Sequence, residues 1–294
     1  MLRPMHRPRV TLATAAAFRH LDDDLPLAVD ALARAGINAQ VSNWDDPAVD
    51  WSAPDLVVVR SCWDYTWQHE LFMAWADTVP RLANPASVLA WNSDKRYLAQ
   101  LADFGVPVVT TVWNPSTIDD LPASPQWVVK PNISAGSRDT ARWSTAADAL
   151  AHARELIDAG RHAMVQPYLD GVDTDGETAL LFFGGEFSHS ARKGPLLRTD
   201  EGAVDVESRY DLSARDATPA QHAVAQTVLR AVAELVPGGA DLLYARVDLI
   251  PDASGEPVLL ELEITEPSLF LPHDPGAPDR FATAVAAALD NVTD

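Results

Sequence analysis

Short apolar runs bounded by turn residues alternate with stretches of helical period through the first third of the chain. Residues 10–15 read as a strand, 25–35 as a helix ended by Gly36, 37–41 as a second strand and 56–60 as a third. The run Leu56-Val-Val-Val59 is apolar at every position, which fits a strand covered on both faces of a parallel sheet. This order predicts an α/β protein that begins with a small doubly wound parallel sheet. Ligands on such sheets bind beyond the carboxyl ends of the strands, here residues 13–17, 43–46 and 60–65. Helices are expected at 70–79 and 94–104, the second with Asn92 or Ser93 as N-cap and Gly105 as terminator, then a strand at 107–112.

A stretch rich in Pro, Ser and Asp at 114–124 marks a boundary. Beyond it lie a strand at 126–130, a polar loop at 132–138, a helix at 146–159 and strands at 163–168, 177–183 and 186–193. A helix at 219–235, strands at 242–250 and 258–264, and a helix at 277–289 complete the pattern. The turn Pro251-Asp-Ala-Ser-Gly-Glu-Pro257 folds the last two strands into a hairpin. The run 193–218 has little periodicity and is expected to be a mobile active-site loop. Three units follow: residues 1–115, 116–190 and 191–294.

Composition narrows the classes. The 294 residues are 47% hydrophobic and 22% charged, ordinary for a globular protein. A net charge of −20 argues against nucleic acid and against anionic membrane surfaces as partners. A lone cysteine, Cys62, leaves no internal disulfide and no cysteine-built metal site. The basic residues 1–9 precede an apolar stretch at 10–18 that is too short and too rich in threonine for a secretory signal, and a cytoplasmic protein is expected.

Candidate chemistry centres on the hairpin. Side chains alternate along a strand, so Arg246 and Asp248 share one face, as do Glu261 and Glu263. If the register joins those faces, three carboxylates and a guanidinium converge. Such carboxylates repel one another unless a cation sits among them, and hard oxygen donors suit Mg²⁺ or Mn²⁺. A hairpin with one solvated face gives the same pattern. Upstream, Lys95 stands in the first turn of a predicted helix. Lys130 ends an apolar strand and is followed by the small-residue loop Ser134-Ala135-Gly136-Ser137, whose N–H groups could approach phosphate. Each is a weak signal alone.

Taken in order, two lysines, the small-residue loop, Val165-Gln166-Pro-Tyr168-Leu169, Gly176-Glu177, Arg246-x-Asp248 and Glu261-x-Glu263 resemble the ATP-grasp superfamily, to which glutathione synthetase and D-alanine–D-alanine ligase belong. The resemblance runs from about residue 92 to 267. It implies an ATP-grasp fold, with the first sheet followed by two α+β subdomains that clasp ATP. It further implies that Lys95, Lys130 and residues Ser134, Ala135, Gly136 and Ser137 handle the phosphates, that Gln166, Tyr168 and Leu169 line an adenine hinge, and that Glu177 orients the nucleotide. Arg192 or Lys193 would lie near the γ-phosphate and Arg246 near the reacting carboxyl. Asp248, Glu261 and Glu263 would hold Mg²⁺. Many members carry asparagine where this chain has Glu263.

Outside the ATP site, Arg60-Ser61-Cys62-Trp63-Asp64-Tyr65 ends the third strand. Arg60 could pair with a substrate carboxylate and Asp64 with an amino group, with Trp63 or Tyr65 as walls. The aromatics could equally pack between units, and Arg60 could pair with an acid. Together with Trp91-Asn-Ser-Asp-Lys-Arg-Tyr-Leu98 and the ending Leu260-Glu-Leu-Glu-Ile-Thr-Glu-Pro-Ser-Leu-Phe-Leu271, this stretch is similar to the ATP-grasp cyclo-ligases of D-cycloserine biosynthesis. That resemblance implies an amino-acid-like substrate, O-ureido-D-serine, whose phosphorylated carboxylate is attacked by its own oxyamine nitrogen; it also implies a homodimer. A ligase joining two small molecules and a non-catalytic nucleotide-binding module are the other readings.

Overall fold

The computed structural model describes residues 7–203 and 211–292. Its first sheet comes from the apolar runs at the start of the chain. β1 (Arg9–Thr14), β2 (Asn38–Asn43), β3 (Leu56–Val59) and β4 (Leu82–Ala83) pair in parallel in the order β2-β1-β3-β4. All four β3 residues are buried, as an uninterrupted apolar strand requires. Helix α1 (Asp24–Arg34) buries Leu25, Ala28, Ala31 and Leu32, one stripe at helical spacing. Helix α2 (His69–Thr78) buries Phe72, Trp75 and Ala76 within an aromatic cluster that includes Trp44 and Tyr65.

The helix expected at 94–104 begins later, as α4 (Tyr97–Asp103), and a helix that was not expected, α3 (Ala86–Asn92), precedes it across a turn. Asn92 is not an N-cap. Its Nδ2 donates to Leu262 O at 2.8 Å and its Oδ1 accepts from Ile264 N at 3.0 Å, so the side chain serves a distant strand. Lys95 therefore sits in the turn. The expected strand at 107–112 shrinks to a bridge between Val108 and Leu259 and the two-residue β5 (Val112–Trp113).

β6 (Trp127–Pro131), β7 (Ala141–Trp143) and β8 (Ala163–Pro167) join β5 in an antiparallel sheet of order β5-β8-β6-β7. Helix α5 (Ala146–Asp158), capped by Thr145, covers it with Ala149, Ala153 and Leu156. The third sheet is antiparallel: β9 (Glu177–Phe183), β10 (Glu186–Lys193), β11 (Leu212–Ala214), β12 (Tyr244–Pro251) and β13 (Pro257–Glu263), in the order β11-β10-β9-β12-β13. Gly184 and Gly185, at φ 57° and 81°, make the two-residue turn between β9 and β10, where a side chain would be strained. The expected division at residue 190 falls inside β10, which shares this sheet with β12 and β13. Part of the run expected to be mobile, 204–210, lies outside the described residues; within the rest of it β11 forms.

The single turn α6 (Gly171–Thr174), α7 (Pro219–Leu235) and α8 (Ala277–Val292) complete the fold. Polar side chains stitch the first and third sheets together. Asn84 Nδ2 donates to Tyr244 O at 2.9 Å and Ile264 O at 2.7 Å, while the Tyr244 hydroxyl shares its one proton between Val59 O and Thr265 O, each 2.9 Å away. Among the described residues, no helix is long and apolar enough to cross a membrane.

Candidate active site

A cavity of about 900 Å³ is lined from the second and third sheets and from the segments that follow β1 and β3. Lys130 and Gln166 reach it from the second sheet, Glu177, Lys193 and Arg246 from the third, and Trp63 and Tyr65 from the segment after β3. On β13 the register shifts after the Asp248–Glu261 pair. Leu249 pairs with Leu259, leaving Leu260 as an extra residue that turns into the cavity.

The hairpin register joins the charged faces as the alternation predicts, with Arg246 opposite Glu263 and Asp248 opposite Glu261. The three carboxylates do not, however, close on one another: among the described residues no three acid, His or Cys side chains form a metal cage. Cationic side chains stand between them. Arg246 Nε donates to Asp248 Oδ1 at 2.9 Å and Nη2 to Asp248 Oδ2 at 3.0 Å, and Arg246 also pairs with Glu263. Lys193 Nζ reaches Asp248 Oδ2 at 2.8 Å and Glu177 Oε2 at 2.6 Å, and Lys95 Nζ reaches Glu261 Oε1 at 3.2 Å. Like charges packed together need such counter-charges.

The pKa directions show where the counter-charge suffices. Burial alone would raise Asp248, yet Arg246 and Lys193 hold its carboxyl down to about 2. Burial, with Glu261 and Asp248 alongside, pushes Glu263 up to about 7 in spite of Arg246. Glu261 and Glu263 face the cavity, whereas Asp248 is fully buried behind them with both oxygens engaged. The hard oxygens of Glu261 and Glu263, where the charged form of Glu263 lacks enough counter-charge, fit a divalent cation. Asp248 could join them only by sharing its oxygens with Arg246 and Lys193.

Both lysines reach the cavity. Lys95 Nζ donates to Ser134 O at 2.7 Å and Ser134 Oγ at 3.1 Å, tying the turn after α3 to the small-residue loop. Residues 134–137 all line the cavity, with Gly136 and Ser137 at φ 60° and 59°. Lys130 is buried, and none of the hydrogen bonds or ion pairs among the described residues reaches its Nζ; burial pushes its pKa down. An unpaired buried ammonium facing a cavity is costly until an anion arrives. Gln166, Tyr168 and Leu169 line the cavity too, with Val128, the cross-strand partner of Gln166, as apolar lining.

Four expected residues lie elsewhere. Arg192 points away from Lys193 across the strand and donates to Asp175 O at 2.8 Å. Arg60 is completely buried: its Nη2 donates to Pro267 O at 2.8 Å and lies 3.6 Å from Asp24 Oδ2. Ser61 Oγ bonds Thr14 Oγ1 at 2.6 Å, and Asp64 Oδ1 accepts from Trp44 Nε1 at 2.9 Å. Arg60, Ser61 and Asp64 are thus engaged in interior contacts around the first sheet and, like Arg192, are not among the residues that line the cavity. Of the stretch beyond β3, Trp63 and Tyr65 line the cavity.

The sequence reading missed Glu266, Ser268, Phe270 and Phe18, which line the same cavity. Glu266 lies past the end of β13, where strand alternation no longer reports facing. An acid in the otherwise apolar and small-residue run 264–271 was the available signal.

Residues 10–84 match the family model of the N-terminal domain of D-cycloserine synthetase DcsG. The chain is 39% identical to the cycloserine biosynthesis protein DcsG of Streptomyces lavendulae, over 95% of this chain and 98% of that protein. Its fold is similar to the crystal structure of D-cycloserine synthetase DcsG, with a TM-score of 0.87 and 37% identity over 96% of this chain and 99% of the other. It also resembles the ATP-grasp ligase PsnB, solved with its minimal precursor, Mg and ADP, at a TM-score of 0.62 and 17% identity over 98% of this chain and 100% of the other. That last likeness speaks for the fold alone.

Proposed function

Since the chain belongs to the DcsG family of ATP-grasp ligases, we propose that it converts O-ureido-D-serine to D-cycloserine at the expense of ATP. The observation that carries this reading is the cavity's ring of Lys95, Lys130, Lys193 and Arg246 beside Glu261 and Glu263, built against the Trp63–Tyr65 wall. Transfer of the γ-phosphoryl group makes an acyl phosphate and ADP. The oxyamine nitrogen of the same molecule then attacks the acyl carbon, forming the ring C–N bond and expelling phosphate. Removal of the carbamoyl group from that nitrogen consumes one water and yields carbon dioxide and ammonia. Holding nitrogen and carbonyl within one bound molecule makes the attack intramolecular, which favours it entropically.

In this reading Lys95, Lys130 and the N–H groups of residues 134–137 receive the ATP phosphates, and Lys193 lies at the γ-phosphate. Positioning and charge neutralisation are what phosphoryl transfer asks of a protein. Gln166, Tyr168 and Leu169 hold the adenine, Glu177 orients Lys193, and Arg246 stabilises the reacting carboxyl. Glu261 and Glu263, with Asp248 behind them, would hold Mg²⁺, or Mn²⁺ in its place, which neutralises phosphate oxygens when bound. A cytoplasmic location goes with the ATP supply this chemistry needs.

The test is an ADP-release assay with O-ureido-D-serine alone and with added amines, followed by product mass. Release with O-ureido-D-serine alone, giving a product lighter than the substrate, is expected. Release that requires a second amine would replace cyclisation with the joining of two molecules.

A further inference from the structure

We propose that the carboxylate of Glu266 binds the α-ammonium group of the amino-acid substrate. The inference rests on the reading above that the activated carboxylate is that of an amino acid. Glu266 is only 8% exposed and its side chain lines the cavity. None of the hydrogen bonds or ion pairs among the described residues reaches its carboxylate. Lys95 and Arg246, the nearest cations, are committed to other acids. Burial and Glu263 accordingly push its pKa up to about 8.

The backbone around it is pinned residue by residue. Trp63 Nε1 donates to Glu266 O at 3.0 Å, Arg60 Nη2 to Pro267 O at 2.8 Å and Arg246 Nη1 to Ser268 O at 3.1 Å. Leu269 N and Leu271 N donate to the Asp24 carboxylate at 2.5 and 2.7 Å. A well-braced segment thus presents one buried carboxyl group with no cation paired to it, and its ionised form is stabilised by a cation that enters with the substrate. The substrate's geometry selects the place. An α-ammonium and an α-carboxylate share one carbon, so the group that binds the first must neighbour the group that binds the second. Arg246, which faces the reacting carboxyl, is itself bonded to Ser268, two residues along. Trp63 and Tyr65 close the pocket on the side of the first sheet.

The experiment compares O-ureido-D-serine with 3-(ureidooxy)propanoate, which keeps the carboxylate and the nucleophilic nitrogen but lacks the amino group. The wild type is expected to favour the amino compound by roughly 10- to 100-fold in kcat/KM, the range of one charge-assisted hydrogen bond. Glu266→Gln should abolish most of that preference through KM for the amino compound. Its KM for ATP and its Mg²⁺ activation constant should stay near wild type, and Glu266→Asp should restore part of the preference. A preference unchanged in Glu266→Gln would overturn the proposal. So would a shifted Mg²⁺ constant with the preference intact, or a fall in kcat at constant KM, which would mark a metal ligand or a proton acceptor. ADP binding reports whether the variant is folded. If it is not, a wild type that fails to discriminate the two compounds would by itself sink the idea. Absence of ADP release from the wild type with O-ureido-D-serine would instead overturn the substrate reading.

Discussion

Glu266 also makes a prediction about stability, because its ionisation differs between folded and unfolded chains. An unfolded glutamate loses its proton near 4.5, whereas the buried one holds it to about 8. Between those values the native protein binds more protons than the unfolded chain, so stability falls as pH rises across that window, by up to about 1.4 kcal/mol per pH unit. Glu263, raised to about 7, acts in the same direction. Asp248, held down to about 2, keeps its full contribution at every pH above its unfolded value and adds no slope here. Thermal melts from pH 5 to 8.5 should therefore show a falling Tm for the wild type and a flatter profile for Glu266→Gln. Parallel profiles would mean that Glu266 is not the group titrating. At this scale the sequence revealed charged residues on regular strands and hid those beyond them. Arg246, Asp248, Glu261 and Glu263 could be read from alternation alone, and Lys193 was distinguished from Arg192 only once the strand's facing was known.

Among elements, legibility followed length. β9 and β10 have the bounds expected of them, and α5 and α7 lie within a residue of theirs. The strands that escaped notice, β4, β7 and β11, have two or three residues, too few for a period to register. The sequence left Arg60 between two readings for a related reason. A guanidinium after an apolar strand resembles a ligand-binding cap, but here the chain returns from β13 and covers it. Asp24 at the start of α1, Arg60 at the end of β3 and the segment 266–271 form one buried junction. Removing one member of a buried pair costs about 3–5 kcal/mol. Arg60→Ala and Asp24→Ala should each lower the urea midpoint substantially, and the double variant should cost less than the two together. Strict additivity would show that the two side chains do not act as a pair.

For the whole molecule, the cavity exists because three sheets meet, and two side-chain contacts carry the small-residue loop across that meeting. Lys95 ties Ser134 to the turn after α3. Farther along, the Arg138 guanidinium stacks on Trp67 at 3.9 Å from the ring centroid, and Trp67 in turn packs edge-on against Phe18. Trp67 is 49% exposed, more than its size warrants unless it covers something. Here it is the only aromatic platform under Arg138 among the described residues. An exposed cation–π contact is worth about 0.5–1 kcal/mol. Trp67→Ala should therefore speed hydrogen exchange in residues 134–138 and raise KM for ATP by roughly two- to fivefold. The melting temperature should move little, because the ring is half in solvent and supports no core cluster. Unchanged exchange in 134–138 would mean that the loop is held by Lys95 alone. A large fall in Tm would mean that Trp67 belongs to the first sheet's packing and not to the site.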